Sequence, residues 1–247
     1  MSLANVNLSN IVIKQYRYKM KSFIGVFLAL MVIQVFGILI SMLGASSSGF
    51  SNGFFFINVT SYTANVVIAF TMIWAFTNAI IVTTKSYRED DFTFISNRLS
   101  YNLSNILFLI TACVIGAITA FLSRGVIYIL VFFVNDLETF LTVNQEVNMA
   151  DYLIGVLATI LIVLLAGAAG YVVGMLFQLN KLLIFILPVF VFGLDFIRTS
   201  NESTLQRIFE FYFTEQVFTI FVVKTIMTIL LGFGLAALLT NRMEVRR

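Results

Sequence analysis

No histidine occurs in the 247 residues, and cysteine and proline occur once each, as Cys113 and Pro188. Without histidine there is no imidazole base, no His-ligated haem and no H-E-x-x-H metal helix. A zinc site needs several Cys, His or carboxylate ligands, and a disulfide needs a second thiol. No metal site is therefore expected, and Cys113, inside an apolar run, reads as a small packing residue. Charge is also scarce: 11% of residues are charged against 60% hydrophobic. A soluble domain carries about 25% charged residues, and a disordered chain is poor in apolar ones. Both classes are excluded, and a mean hydropathy of +1.00 agrees. Membrane barrels need strands of about ten alternating residues, whereas the apolar runs here are continuous and longer. The net charge of +3 is no nucleic-acid signal, because the basic residues sit at the ends of the runs.

The expected fold class is therefore all-α, a single polytopic transmembrane domain over 1–247. A helical span needs about 20 mostly apolar residues. Lys21 and Lys85 bracket 63 uncharged residues, punctuated by Gly44–Gly49 and Ser51-Asn-Gly. That places spans at 22–43 and 60–83 around a polar loop. Further spans are expected at 104–124 with a helical extension to 134, at 152–177, at 182–197 around Pro188, and at 217–240. The first run is longer than the roughly 7–15 residues of a signal-peptide core, so it is read as a retained span. With both termini inside, eleven of the 15 Lys and Arg fall on the inner side and eight of the 12 acids on the outer. This is the distribution that the positive-inside rule requires.

Several segments carry functional readings. In 1–21, Leu8, Ile11, Val12 and Tyr16 share one helical face, and Lys14, Arg17 and Lys21 another. This predicts a basic amphipathic helix at the inner surface of the lipid bilayer. The inner loop over 85–103 contains Tyr87, Arg88, Glu89, Asp90, Asp91, Phe92 and Ile95. Its three consecutive acids lead into an apolar face at Phe92, Ile95 and Leu99. This fits a docking element for a soluble partner, and it also fits a solvated turn whose acids favour a helix N-terminus. Gln34, Asn65, Thr71 and Asn78 lie inside spans, either joining helices by hydrogen bonds or lining a translocation path. Arg124, Asp195 and Lys224 fall toward outer span ends, where snorkelling explains them. Gly155, Gly167, Gly170 and Gly174 form a small-residue stripe suited to close helix packing. No phosphate-loop motif G-x-x-x-x-G-K-[ST] and no G-x-S-x-G elbow occurs, so no ATPase or other enzyme is expected in this chain.

Taken together, the basic N-terminal helix, the six spans and the acidic-aromatic inner loop resemble the membrane subunit of an ABC-2 type exporter. The aromatic-rich spans are similar to those of peptide-export permeases of low-GC Gram-positive bacteria, such as phenol-soluble modulin exporters. The resemblance implies an N-terminal elbow helix and a coupling helix at Arg88-Glu89-Asp90-Asp91 that docks on a separate ATP-binding subunit. It also implies a second cytoplasmic contact at Gln178, Asn180 and Lys181, and short re-entrant helices between 195 and 216. ATP and Mg would reside on the partner, with no cofactor in this chain, and a second permease chain would complete the transporter. The implied cargo is an amphipathic peptide, toxin or lipid-like compound leaving through a bacterial cell membrane. The competing reading is a self-sufficient secondary transporter or channel. It would need a coupling-ion site in the spans, and no mid-membrane carboxylate is there to supply one.

Overall fold

A computed structural model of the chain describes residues 8–43, 46–51, 56–61, 63–84, 98–134, 149–180, 182–186, 204–215 and 217–242, with single residues 87, 189 and 193. The elements are α1 (Leu8–Ser22), α2 (Ile24–Met42), β1 (Ser46–Ser51), β2 (Phe56–Ser61), α3 (Asn65–Thr83), α4 (Arg98–Val134), α5 (Met149–Leu179), α6 (Thr204–Phe213) and α7 (Phe218–Arg242). Among the described residues, α2, α3, α4, α5 and α7 are long and apolar enough to cross a membrane. The chain is a multi-pass membrane protein.

The apolar runs become these helices, with shifts at their ends. The run expected over 104–124 lies within the 37-residue α4, which also takes in 98–103 and the extension to 134. At about 1.5 Å per residue, α4 is roughly 55 Å long and overreaches a hydrocarbon core of about 30 Å. The span expected from 60 starts at Asn65 instead, because the residues before it pair as strands. β1 and β2 form an antiparallel hairpin, with Ser46 opposite Ser61 and Ser51 opposite Phe56. The segment read as a polar loop therefore meets its backbone hydrogen bonds in a ladder. Most of the run expected over 182–197 lies outside the described residues, apart from a helical turn at 183–186.

α1 and α2 are separated by Phe23, whose backbone (φ −97°, ψ 34°) leaves the helical region. Its ring packs edge-on against Phe108 at 5.4 Å, which holds the junction to α4. From there α2 buries Val26, Leu30, Gln34, Gly37 and Ser41, one stripe at steps of three and four. Trp74 of α3 is almost wholly buried, and its indole N–H donates to the Val26 carbonyl at 3.2 Å.

α3 packs against α2, α4 and α5. Lipid tails are as apolar as leucine, so helices in a membrane associate by close contact rather than by the hydrophobic effect. The glycine stripe provides that contact. A Cβ on Gly170 would lie 2.9 Å from Phe76 Cα, and one on Gly174 would lie 3.0 Å from Ile80 Cα. Backbone meets backbone there, and any side chain would push α5 off α3.

α5 and α7 run parallel. Gly232 faces Ala168 and Val172, the Phe233 ring meets Tyr171 at 5.9 Å, and Thr240 reaches Met175. Their C-terminal ends lie together at the end of the bundle that carries α1. The hairpin marks the other end.

Candidate functional site

Buried polar side chains concentrate where α1 meets the start of α4. The sequence Ser100-Tyr-Asn-Leu-Ser-Asn105 opens a long apolar helix with five polar or amphipathic groups. Ser100, Tyr101, Asn102, Ser104 and Asn105 are all buried. Polar groups in such a place need partners, and they find them on four neighbouring helices.

Lys19 of α1 is fully buried. Its ammonium donates to Ser104 Oγ at 2.9 Å and to Asn105 Oδ1, and it stands 4.9 Å from the centre of the Tyr101 ring. Ser104 in turn donates to the Tyr101 carbonyl at 2.8 Å, which orients its lone pairs toward the lysine. The Tyr101 hydroxyl lies 3.4 Å from the Val82 carbonyl in the last turn of α3. On the next face of α4, Asn102 Oδ1 accepts from the Tyr171 hydroxyl of α5 at 2.9 Å. The Thr240 hydroxyl of α7 is 3.2 Å from the same oxygen and 2.9 Å from the Ala236 carbonyl, so it shares its proton. Two turns of α4 thus join α1, α3, α5 and α7 through one polar hub.

The hub has hydrogen-bonding capacity beyond these contacts. Among the described residues, Asn102 Nδ2, Asn105 Nδ2 and both amide atoms of Gln15 are buried without a hydrogen-bond partner. Gln15 lies one turn before Lys19 on the same buried stripe of α1, with Val12. That stripe differs from the expected apolar face of Leu8, Ile11, Val12 and Tyr16. Leu8 is exposed, and a glutamine and a lysine face the bundle instead. The expected basic face does lie outside: Lys14, Arg17 and Lys21 are exposed.

The residues expected to dock a partner are described in part. Tyr87 is half-buried, and its ring packs edge-on against Phe23 at 4.8 Å, with the planes at 73°. The loop that follows α3 therefore touches the α1–α2 junction, one turn from Lys19. Arg88, Glu89, Asp90, Asp91, Phe92 and Ile95 lie outside the described residues, as does Lys181. Gln178 is half-buried in the last turn of α5, and Asn180 follows that helix. Asn180 Oδ1 accepts from the Leu182 N–H at 3.1 Å, an Asx turn that starts the next helical turn.

The four polar residues expected inside spans do not converge. Gln34 Nε2 donates to Thr71 Oγ1 at 3.2 Å and to the Gly116 carbonyl at 3.0 Å, which ties α2 to α3 and α4. Thr71 donates to its own helix at the Val67 carbonyl, 2.8 Å away. Asn78 bonds back to the Trp74 carbonyl at 2.8 Å, and Asn65 is exposed at the first residue of α3. Toward the hairpin end, Arg124 stacks over Tyr128 at 5.6 Å. Lys224 pairs with Glu215 and lies 4.3 Å from the centre of the Phe211 ring. Asp195 lies outside the described residues.

Sequence reasoning missed Lys19, Tyr101, Asn102, Ser104, Asn105 and Tyr171. A signal for the α4 group was present, since four polar residues within six positions are unusual at the mouth of a long apolar run. Helical spacing sets Lys19 apart from Lys14, Arg17 and Lys21, but nothing in the local pattern shows that it meets Ser104 and Asn105. Among the described residues no group of three or more Cys, Asp or Glu could hold a metal ion. No protein-family model matches the chain, and no curated protein or solved structure matches it.

Proposed function

We propose that this membrane protein is the permease subunit of an ATP-driven ABC exporter in a bacterial cytoplasmic membrane. The end that carries α1 faces the cytoplasm in this reading, and a separate ATP-binding subunit docks on the loop containing Tyr87 to Asp91. The observation that carries the proposal is the hub at the start of α4. A loop that begins by packing Tyr87 on the α1–α2 junction leads into the helix whose first turns hold α1, α3, α5 and α7. A displacement of that loop reaches α4 and, through the hydrogen bonds of Lys19, Tyr101 and Asn102, the four helices around it. Work from a partner can enter at such a place without any catalytic residue in this chain. A ligand shifts an equilibrium only through differential affinity for its two states, and ATP would supply that difference on the partner.

The connectivity supports six crossings. α5 ends beside the hub, whereas α6 packs on the N-terminal half of α7 through Tyr212 and Thr228. In this reading the chain between them returns across the bundle as the sixth span, over 182–197. A second permease chain would pair with this one across the translocation path, and the cargo class is an amphipathic peptide, toxin or lipid-like compound.

The test is co-purification with the products of neighbouring genes, followed by an ATPase assay. A stoichiometric ATP-binding subunit is expected. Its stimulated hydrolysis should disappear when Glu89, Asp90 and Asp91 are all changed to Lys, with membrane abundance unchanged. A chain that purifies alone and transports without ATP would be a self-sufficient transporter or channel, and the proposal would fail.

A further inference from the structure

We infer that the exposed stripe of α1, formed by Lys14, Arg17 and Lys21, binds the headgroups of anionic phospholipids. The inference stands apart from the exporter reading and rests on the geometry of one helix. The three cations follow each other at steps of three and four, so they stack along one face. With 3.6 residues per turn, that face points directly away from the buried stripe of Val12, Gln15 and Lys19. The fourth cation of α1, Lys19, is turned inward and fastens the helix to α4 through Ser104 and Asn105. The outer stripe is thereby held in a fixed orientation before any ligand arrives, which lowers the entropic cost of binding.

No charge within α1 offsets the stripe. The first acidic residue of the whole chain is Glu89, and among the described residues none of the three cations forms an ion pair. The depth of the stripe fixes the partner. Lys21 precedes by three residues the membrane-spanning α2, which starts at Ile24, so this end of the stripe is tied to headgroup level. Ile13, 42% exposed, and Tyr18, 41% exposed, edge it on either side, and amphipathic tyrosine is favoured at that level. An amphipathic helix that inserts into the acyl region puts an apolar stripe at the centre of its membrane face. Here the centre is cationic and the margins are apolar. The contact is therefore electrostatic, made with phosphodiester groups rather than with acyl chains, and it weakens with salt.

The experiment titrates dioleoylphosphatidylglycerol or dioleoylphosphatidylcholine into the purified full chain and counts bound lipids by native mass spectrometry. The wild type should prefer phosphatidylglycerol. Each cation near an anionic surface changes affinity by about five-fold, so K14Q/R17Q/K21Q should weaken that binding on the order of 100-fold. The charge-conserving K14R/R17K/K21R should retain it. The stripe faces away from α4, so thermal stability in neutral lipid should be the same for all three proteins. Should the neutralised variant fold poorly, the wild type alone still decides: 0.5 M salt should abolish its preference, and millimolar inorganic phosphate should not. Equal affinity of the wild type for the two lipids would overturn the inference. So would displacement by inorganic phosphate, which would make this a phosphate-ion site. Loss of a soluble subunit from the triple variant, with lipid binding intact, would assign the stripe to a protein partner and also overturn it.

Discussion

Lys19 and Lys224 belong to opposite halves of the bundle and hold their charge in different ways. Lys19 is fully buried and reaches a hydroxyl, an amide oxygen and the Tyr101 ring. Lys224 keeps about a quarter of its side chain exposed, pairs with the similarly exposed carboxylate of Glu215, and lies over the Phe211 ring. The ring is common to both, since an aromatic face attracts a cation wherever water is thin. What differs is the rest of the shell. An ammonium near solvent is served by one carboxylate and by water, and breaking the pair leaves both ends hydrated. An ammonium in the interior has to be enclosed by polar groups on a neighbouring helix, so it becomes a structural joint. The same residue type is an anchor in one place and a trim of the rim in the other.

Substitutions at the two sites separate these roles. The largest loss is expected for Lys19→Ala, which removes three buried methylenes and the ammonium and strands Ser104 and Asn105. About 3 kcal/mol of stability should go, as for other large buried side chains cut to Ala, measured by thermal unfolding of the detergent-purified chain. Lys19→Met keeps the stem and should recover more than half of that. Equal losses in the two variants would mean that the charge, not the packing, holds α1 to α4. Next comes Asn102→Leu, which leaves the Tyr171 and Thr240 hydroxyls without their shared acceptor. A cost of about 2 kcal/mol is expected, in the range for stranding buried polar groups. Tyr171→Phe combined with it should add almost nothing, and independent losses would break the picture of a single hub. The smallest effect belongs to Lys224→Met, under about 1 kcal/mol, as for exposed ion pairs. A loss as large as that of Lys19→Ala would erase the distinction between the two lysines.

Much of the architecture was readable from hydropathy, and for a physical reason. The bilayer requires each crossing segment to satisfy its own backbone and to show apolar side chains to lipid. Both demands are local, so Ile24–Met42 and Asn65–Thr83 stand out as runs. The small residues of α5 were also legible as packing surface, because the need for close approach leaves glycine at helical spacing. Their target was not: that Gly170 meets Phe76 and Gly174 meets Ile80 depends on how α5 lies along α3. The hairpin was misread as a loop because its serines, glycines and asparagines have turn character, and only the pairing partner makes them strands.

The hub was legible in one half only. The polar residues that open α4 were visible, and so was the basic character of α1. That Lys19, off the basic face by its spacing, meets Ser104 and Asn105 was decided by how α1 lies on α4, a property of neither segment alone. The amino-acid sequence by itself determined the membrane class, the placement of the apolar runs, the absence of histidine chemistry and the excess of positive charge before Glu89. Only the tertiary structure decided that Asn102 serves α5 and α7 at once and that Lys19 is a joint. Hydropathy acts residue by residue against the solvent, whereas a buried hydrogen bond needs two side chains from distant segments at one point in space.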